Sequence, residues 1–358
     1  MSLPGFSLGG VLGSRSLRQR SLKRERVRRL CSDCCGGGGG LNNFGRGRGD
    51  GDEDFGGDEV FLLPAVVPLE PEEKLEVITT TSIITDLAKC IAGDFLSITG
   101  IIQPGDDPHV YEPVPTDSIR IESADIVLYN GFDLEMNLMP LIRNASDNCK
   151  QFAVGESVEP MPSCESTDTP DPHVWNDARN AACMVNAISD AFSECDPEHS
   201  RIYSRRARRM NKELVELDQW IKKSIQSVPK SKRMLVTTHD AFQYYARAYG
   251  LTILGTLMGI NTEEQPSAKM MSELISEIRL AKPPVVFFEK TVSPTLIRAV
   301  AEDANVDLCD ESLYSDSIGP EGSGAETYQR MMAYNTRVIV DALGGRTGPP
   351  PLAFSSPP

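Results

Sequence analysis

The chain has 358 residues, enough for two domains of ordinary size. Hydrophobic residues make up 40% and charged ones 24%, the balance of a soluble globular protein, and no run of about 18 apolar residues occurs, which excludes a spanning helix. The formal charge of −15 is uneven: ten of the 36 basic residues but two of the 51 acidic ones lie in residues 1–48, so the remainder carries 26 against 49, a net of −23, which argues against nucleic acid as a partner and suits a protein that handles cations.

Residues 1–58 do not read as a folded domain. They are rich in Ser, Arg and Gly, include Gly36 to Gly40, and end in the acidic stretch 50–58. Before Asp50 the segment is poor in acids, the composition of an organelle transit peptide. The stretch after Met1 is broken by Pro4, Ser7, Gly9 and Gly10, so it lacks the apolar core of a secretory signal, and Cys31 follows Arg28-Arg29-Leu30 rather than a lipoprotein pattern. A plastid destination is expected, with the periplasm or another organelle as the alternative. Pro64, Pro68 and Pro71 then form a stiff linker, which closes a targeting and linker segment over 1–73.

From Lys74 onward strands and helices alternate, the pattern of an α/β fold with parallel sheets. Strands are expected at 75–79, 95–102, 124–129 and 151–154, and helices at 82–92, 116–123, 134–143 and 177–195. The stretch 196–229 differs from these. Asp196-Pro197 reads as an N-cap with proline at the first helical position. Tyr203, Ala207, Met210, Leu214, Leu217, Ile221 and Ile225 then form a single apolar stripe. Roughly 31 residues at about 1.5 Å each predict a rod of about 46 Å. A second α/β unit follows over 230–346, with strands at 234–238, 251–257, 285–288 and 306–309. Its helices are expected at 241–249, 267–280, 294–303 and 327–343, and a tail at 347–358 closes the chain. The expected organisation is two α/β lobes, 74–195 and 230–346, joined by the long helix.

Histidine is scarce, with four in the chain. Two sit in a repeated phrase, Asp107-Pro108-His109-Val110-Tyr111 and Asp171-Pro172-His173-Val174-Trp175, and His239 ends the apolar run that starts at Met234. Neutral imidazole is the commonest protein ligand for a divalent transition metal. Proline before each histidine stiffens the loop that presents it. The first phrase follows the strand at 95–102, where ligand sites form in open α/β sheets. His199, in the charged stretch 198–209, reads as a solvated residue. Nine cysteines give no framework. Cys31, Cys34 and Cys35 lack a second ligand pair, Cys90, Cys183 and Cys195 read as small core residues, and Cys149 could pair with Cys164 in an oxidising compartment.

From about Lys74 to Gly344 the chain resembles the metal-specific solute-binding proteins of ABC importers, which capture zinc or manganese. The resemblance is collinear. It runs through Gly105-Asp106-Asp107-Pro108-His109-Val110-Tyr111-Glu112-Pro113, Ala124-Asp125-Ile126-Val127 and Asp171-Pro172-His173-Val174-Trp175. It continues through Thr238-His239-Asp240-Ala241-Phe242 and Ala246-Arg247-Ala248-Tyr249-Gly250, then Leu313-Tyr314-Ser315-Asp316-Ser317-Ile318-Gly319 and Met331-Met332-Ala333-Tyr334-Asn335. The resemblance implies two lobes linked by one rigid helix, and metal ligands at His109, His173, His239 and Asp316. It implies Zn2+ or Mn2+ as the bound ion, an ABC permease as partner, a monomer, and no catalysis. Related manganese binders often carry glutamate where this chain has His239, and related zinc binders often carry a His-rich loop that this chain lacks. Three imidazoles and one carboxylate favour zinc over manganese by intrinsic affinity. Asp240 and Glu289 are candidates to orient an imidazole from behind. A metal store or chaperone without a transporter is the alternative; a zinc hydrolase or lyase is a further one, although no His-Glu-x-x-His occurs.

Overall fold

The structure, a computed structural model, describes residues 74–162 and 170–351. These belong to one compact unit, Leu69–Pro358. The targeting segment at 1–73, the cysteines at 31, 34 and 35, and Cys164 with its expected pairing lie outside the described residues.

Four parallel strands form the first sheet: β1 (Glu76–Thr79), β2 (Ser97–Gly100), β3 (Ile126–Tyr129) and β4 (Lys150–Ala153), in the order β2-β1-β3-β4. Side chains alternate across it, as the pleat requires. Val77, Ile126 and Leu128 enter the main core, while Ile78 and Val127 face the opposite way onto Ile101, Ile121 and Ile142. Helix α1 (Ser82–Ala92) starts at the Thr81 cap, whose hydroxyl accepts from Ile84 N. Helix α2 (Pro115–Ser123) and the short α3 (Met139–Arg143) cover one face. The helix expected over 134–143 is thus confined to its last turn and a half. Pro140 tolerates only the opening of a helix, and Gly131, Phe132 and Asp133 all take left-handed backbone angles just before it. Helix α4 (Ala178–Cys195) starts at Asp177, whose carboxylate accepts from Arg179 N.

The long helix is α5 (Ser200–Gln226), 27 residues or about 40 Å. It starts three residues later than the proline suggested, because Pro197–His199 form a separate 3-10 turn. Asp196 still serves that turn: its carboxylate accepts from His199 Nδ1 at 2.8 Å and from the Tyr203 hydroxyl. The predicted stripe is buried from Tyr203 to Ile225, and α5 packs on α1 and α4 before it in sequence and on α6 (Gln243–Tyr249) and α9 (Tyr328–Ala342) after it. One continuous apolar core therefore runs from Val77 through Leu214 and Leu217 to Ile339.

The second sheet has two regular parallel strands, β5 (Met234–Thr237) and β6 (Thr252–Thr256). Gly250, at φ 79°, closes α6 in the left-handed region that glycine adopts without a Cβ clash. Helices α7 (Ala268–Ala281) and α8 (Thr295–Ala304) pack on this sheet through Leu274, Ile278, Ile297 and Val300. The strands expected at 285–288 and 306–309 are reduced to isolated parallel bridges, Val286 with Leu308 and Glu289 with Leu313. Phe287 N still donates to Val236 O, so the segment lies beside β5 without a continuous ladder. Cys183 is exposed on the outer face of α4, contrary to the core role expected of it, while Cys90 and Cys195 pack half-buried against the core. Among the described residues no helix is long and apolar enough to cross a membrane.

Candidate metal centre

Each of the four expected residues leaves a loop beyond the carboxyl end of a strand or bridge. His109 follows β2, His173 follows β4, His239 lies two residues past β5, and Asp316 lies three residues past the bridge at Leu313. These are the ends at which open parallel sheets place ligands. The structure brings all four together: one ligating atom from each lies within 4.8 Å of the others, and all four residues are buried. Two loops leave the first sheet, one leaves β5 and one leaves the bridge at Leu313, and the cluster forms where the four meet.

The second phrase is built into the interior. Asp171 Oδ1 accepts from His173 N at 3.0 Å and pairs with His173 Nδ1 at 2.8 Å, which leaves Nε2 turned to the cluster. Trp175 Nε1 donates to Ser315 O at 2.7 Å, and the Tyr244 hydroxyl donates to Asp171 O at 2.9 Å. The Asn130 amide donates to Pro172 O at 3.0 Å. The first phrase is more open. Asp107 Oδ1 accepts from His109 N at 2.9 Å, but Oδ2 turns across the site to accept from the Thr262 hydroxyl at 2.7 Å. Asp316 Oδ2 accepts from Ser315 Oγ at 2.7 Å, which fixes the carboxylate toward the histidines.

Charge in the cluster is strongly biased. Burial, with no carboxylate bonded to its ring, pushes His109 down to about 3, so its imidazole is neutral. Burial also opposes charge on His173, but the hydrogen bonds to Asp171 and then Asp316 outweigh it and lift it to about 9. Asp316 and then Glu289 overcome burial in the same way at His239 and raise it well above the ordinary value. Those two imidazoles in turn hold the Asp316 carboxylate well below its usual range despite its burial. Protonated His173 therefore donates across the 3.1 Å contact between its Nε2 and His109 Nε2. Three buried polar atoms of the cluster lack a well-formed hydrogen bond: both ring nitrogens of His239, one of which can ligate, and Asp316 Oδ1, which faces His173 Nε2 at 3.4 Å. Buried polar atoms left this way are costly, and a cation between them satisfies what the protein does not.

The two supporting acids expected from sequence behave differently. Glu289 lies 3.9 Å from His239 Nδ1 and spends both oxygens on Thr238 N at 3.1 Å, so it steadies the strand end and acts on the ring by charge. Asp240 accepts from Gln243 Nε2 at 2.7 Å. Asp171 is the closest support and had no role of its own in the sequence analysis, where the stiffness of the loop was assigned to Pro172; its place two residues before the histidine was the available signal. His199 lies outside the cluster, with its ring 4.3 Å from that of Phe95, so it is packed rather than simply solvated.

Comparison with known proteins shows the family and the fold. The family model described as zinc-uptake complex component A, periplasmic, matches residues 77–342. The manganese-binding lipoprotein of Halalkalibacterium halodurans is 35% identical over 274 residues, covering 76% of this chain and 90% of the relative. A manganese ABC transporter substrate-binding lipoprotein of Streptococcus pneumoniae is 31% identical over 279 residues, covering 76% and 89%. Among solved structures, the periplasmic zinc binding protein of Treponema pallidum superposes with a TM-score of 0.72 at 31% identity, covering 76% of this chain and 99% of that one. A Mn-bound periplasmic metal binding protein from Candidatus Liberibacter asiaticus gives 0.68 at 29%, covering 75% and 100%.

Proposed function

This chain belongs to the zinc-uptake complex component A family, and from that premise we propose that it captures one divalent transition-metal ion at His109, His173, His239 and Asp316 and delivers it to the permease of an ABC importer. It is a binding protein, not an enzyme. The observation that carries the reading is the convergence of three imidazoles and one carboxylate within 4.8 Å, all buried, with unpartnered atoms among them. His109, His173 and His239 supply neutral nitrogen, and Asp316 supplies the negative charge that offsets the ion. The ion displaces the protons that His173 and His239 otherwise carry. The lobes, 74–195 and 230–346, each supply two ligands, and the helical stretch 196–229 joins them.

Zinc is the favoured cargo, because a donor set with three imidazoles suits a borderline metal over manganese. Manganese is the second reading, carried by the relatives named for it. The deciding experiment equilibrates the untagged full-length chain with equal zinc and manganese, dialyses it, and measures both elements. One equivalent of zinc is expected. One equivalent of manganese selects the second reading, and no metal in protein shown to be folded refutes capture altogether. The Arg- and Ser-rich residues 1–48 support delivery to a plastid; exclusion of a reporter fused behind residues 1–73 from isolated plastids sinks that reading.

A further inference from the structure

The four ligand loops are not held alike. The His173 loop is fastened from several sides, by Asn130, Tyr244 and the Trp175 indole. Asp316 is held by its neighbour Ser315. The His109 loop is tied by two hydrogen bonds to loops from the second half of the chain. One runs from Gly105 N to Ser317 Oγ at 2.7 Å, and the other from the Thr262 hydroxyl to Asp107 Oδ2 at 2.7 Å. The second bond reaches the ligand directly, because the same carboxylate accepts from His109 N through its other oxygen at 2.9 Å. Thr262, Asp107 and His109 thus form a chain that starts in the loop after β6 and ends on a ligand from the first sheet.

The position of this chain adds to the argument. Asp107, Val110, Thr262 and Thr291 border a recess of about 420 Å³. Thr291 reaches Asp316 Oδ2 at 3.3 Å, so the recess touches the surroundings of two ligands from opposite loops. Val110, next to His109, is 40% exposed, while the other three ligands are 0–1% exposed and His109 itself is 5%. His109 is thus the least buried of the four ligands and stands beside the exposed end of its loop.

We infer that Thr262 is a positioning residue that holds His109 on the ion by binding Asp107 across the site, and that this bond sets the rate of metal release. The inference rests on the proposed capture of a metal by these four residues. Thr262 touches no ligating atom, so its loss leaves the donor set intact and acts through the placement of His109.

The test is release of bound zinc into excess colorimetric chelator, followed by stopped flow on the full chain. T262V keeps the shape of threonine and removes the hydroxyl, and its release is expected to be about tenfold faster than wild type, within the range for a lost supporting residue. T262S restores the donor and is expected to release at the wild-type rate. In a His109→Ala background T262V is expected to change nothing further, which a merely structural role would not produce. Should T262V not fold, T262A is read against the same background. Wild-type release from the valine variant overturns the inference, as does an equal acceleration with or without His109. Failure of the wild-type protein to bind zinc or manganese refutes instead the capture on which the inference rests.

Discussion

Asp107 and Asp171 stand in the same five-residue phrase, and their carboxylates face different ways. Asp171 turns inward onto the ring of its own histidine, two residues on, at 2.8 Å. Asp107 spends one oxygen on the backbone of its own loop and the other on Thr262, which belongs to the loop after β6. The phrase around His173 is buried along its length and continues into a 3-10 turn, while Val110 in the other copy stands exposed. The proline and histidine set a shared loop geometry; the surroundings decide whether the aspartate tunes a ring or ties a loop. The charge states follow. His173, backed by a carboxylate, is lifted to about 9, and His109, with none on its ring, falls to about 3.

The strongest way to break this comparison is to remove each histidine in turn. His109→Ala, His173→Ala and His239→Ala are each expected to weaken metal affinity by more than the ten- to hundredfold typical of a lost supporting group. His173→Ala carries a second cost that His109→Ala does not. It leaves Asp171, whose Oδ2 already lacks a partner, buried with an uncompensated charge. The melting temperature of the metal-free protein should therefore fall further for His173→Ala. Equal melting temperatures for the two variants contradict the contrast between the phrases, and unchanged metal affinity in either contradicts its place as a ligand.

A smaller effect sharpens the electrostatic half of the contrast. A histidine whose folded value is raised adds stability below its unfolded value near 6.5 and loses it as pH rises through the folded value, here about 9 for His173. The metal-free protein should thus lose stability between pH 6.5 and 9. Metal binding must expel the same protons, so affinity should rise over that window, by about tenfold per pH unit for each proton displaced. The two trends are opposed, and calorimetry with and without zinc reads both. Asp171→Asn removes the first of the two carboxylates that lift His173 and is expected to make both slopes shallower, leaving the share that His239 contributes, while Asp107→Asn leaves them nearly as they were. Slopes as steep after Asp171→Asn as before it place the source of the His173 charge elsewhere.

Much of this was legible in the sequence, for reasons specific to each element. The stripe from Tyr203 to Ile225 predicted the buried face of α5 because helical period is a property of the chain alone. The start of α5 was missed by three residues because a proline opens a 3-10 turn as readily as an α-helix. The strands at 285–288 and 306–309 have strand composition, but their pairing is decided by neighbours distant in the chain, and it stops at single bridges. At the site, the histidines stood out by scarcity and context, and Asp316 came from the family resemblance. What a lone sequence does not carry is direction: nothing in Asp-Pro-His tells that one aspartate bonds a ring and the other crosses to Thr262, 155 residues away.

His199 offers the mildest change and the cleanest control for the whole comparison. It too follows an Asp-Pro pair, in Asp196-Pro197-Glu198-His199, and it too bonds that aspartate through Nδ1, at 2.8 Å. Local chemistry alone therefore resembles that of His173. The difference is what the rest of the ring meets. His173 turns its Nε2 to Asp316 and His109, whereas His199 packs on Phe95 and lies near Tyr203. His199→Ala should leave metal affinity unchanged and cost about 1–2 kcal/mol through the lost hydrogen bond and ring contact. A melting temperature lowered by a few degrees with an unaltered zinc affinity is the expected result. A loss of affinity matching that of His173→Ala would mean that the aspartate–histidine pair, and not the convergence of four loops, makes the metal site.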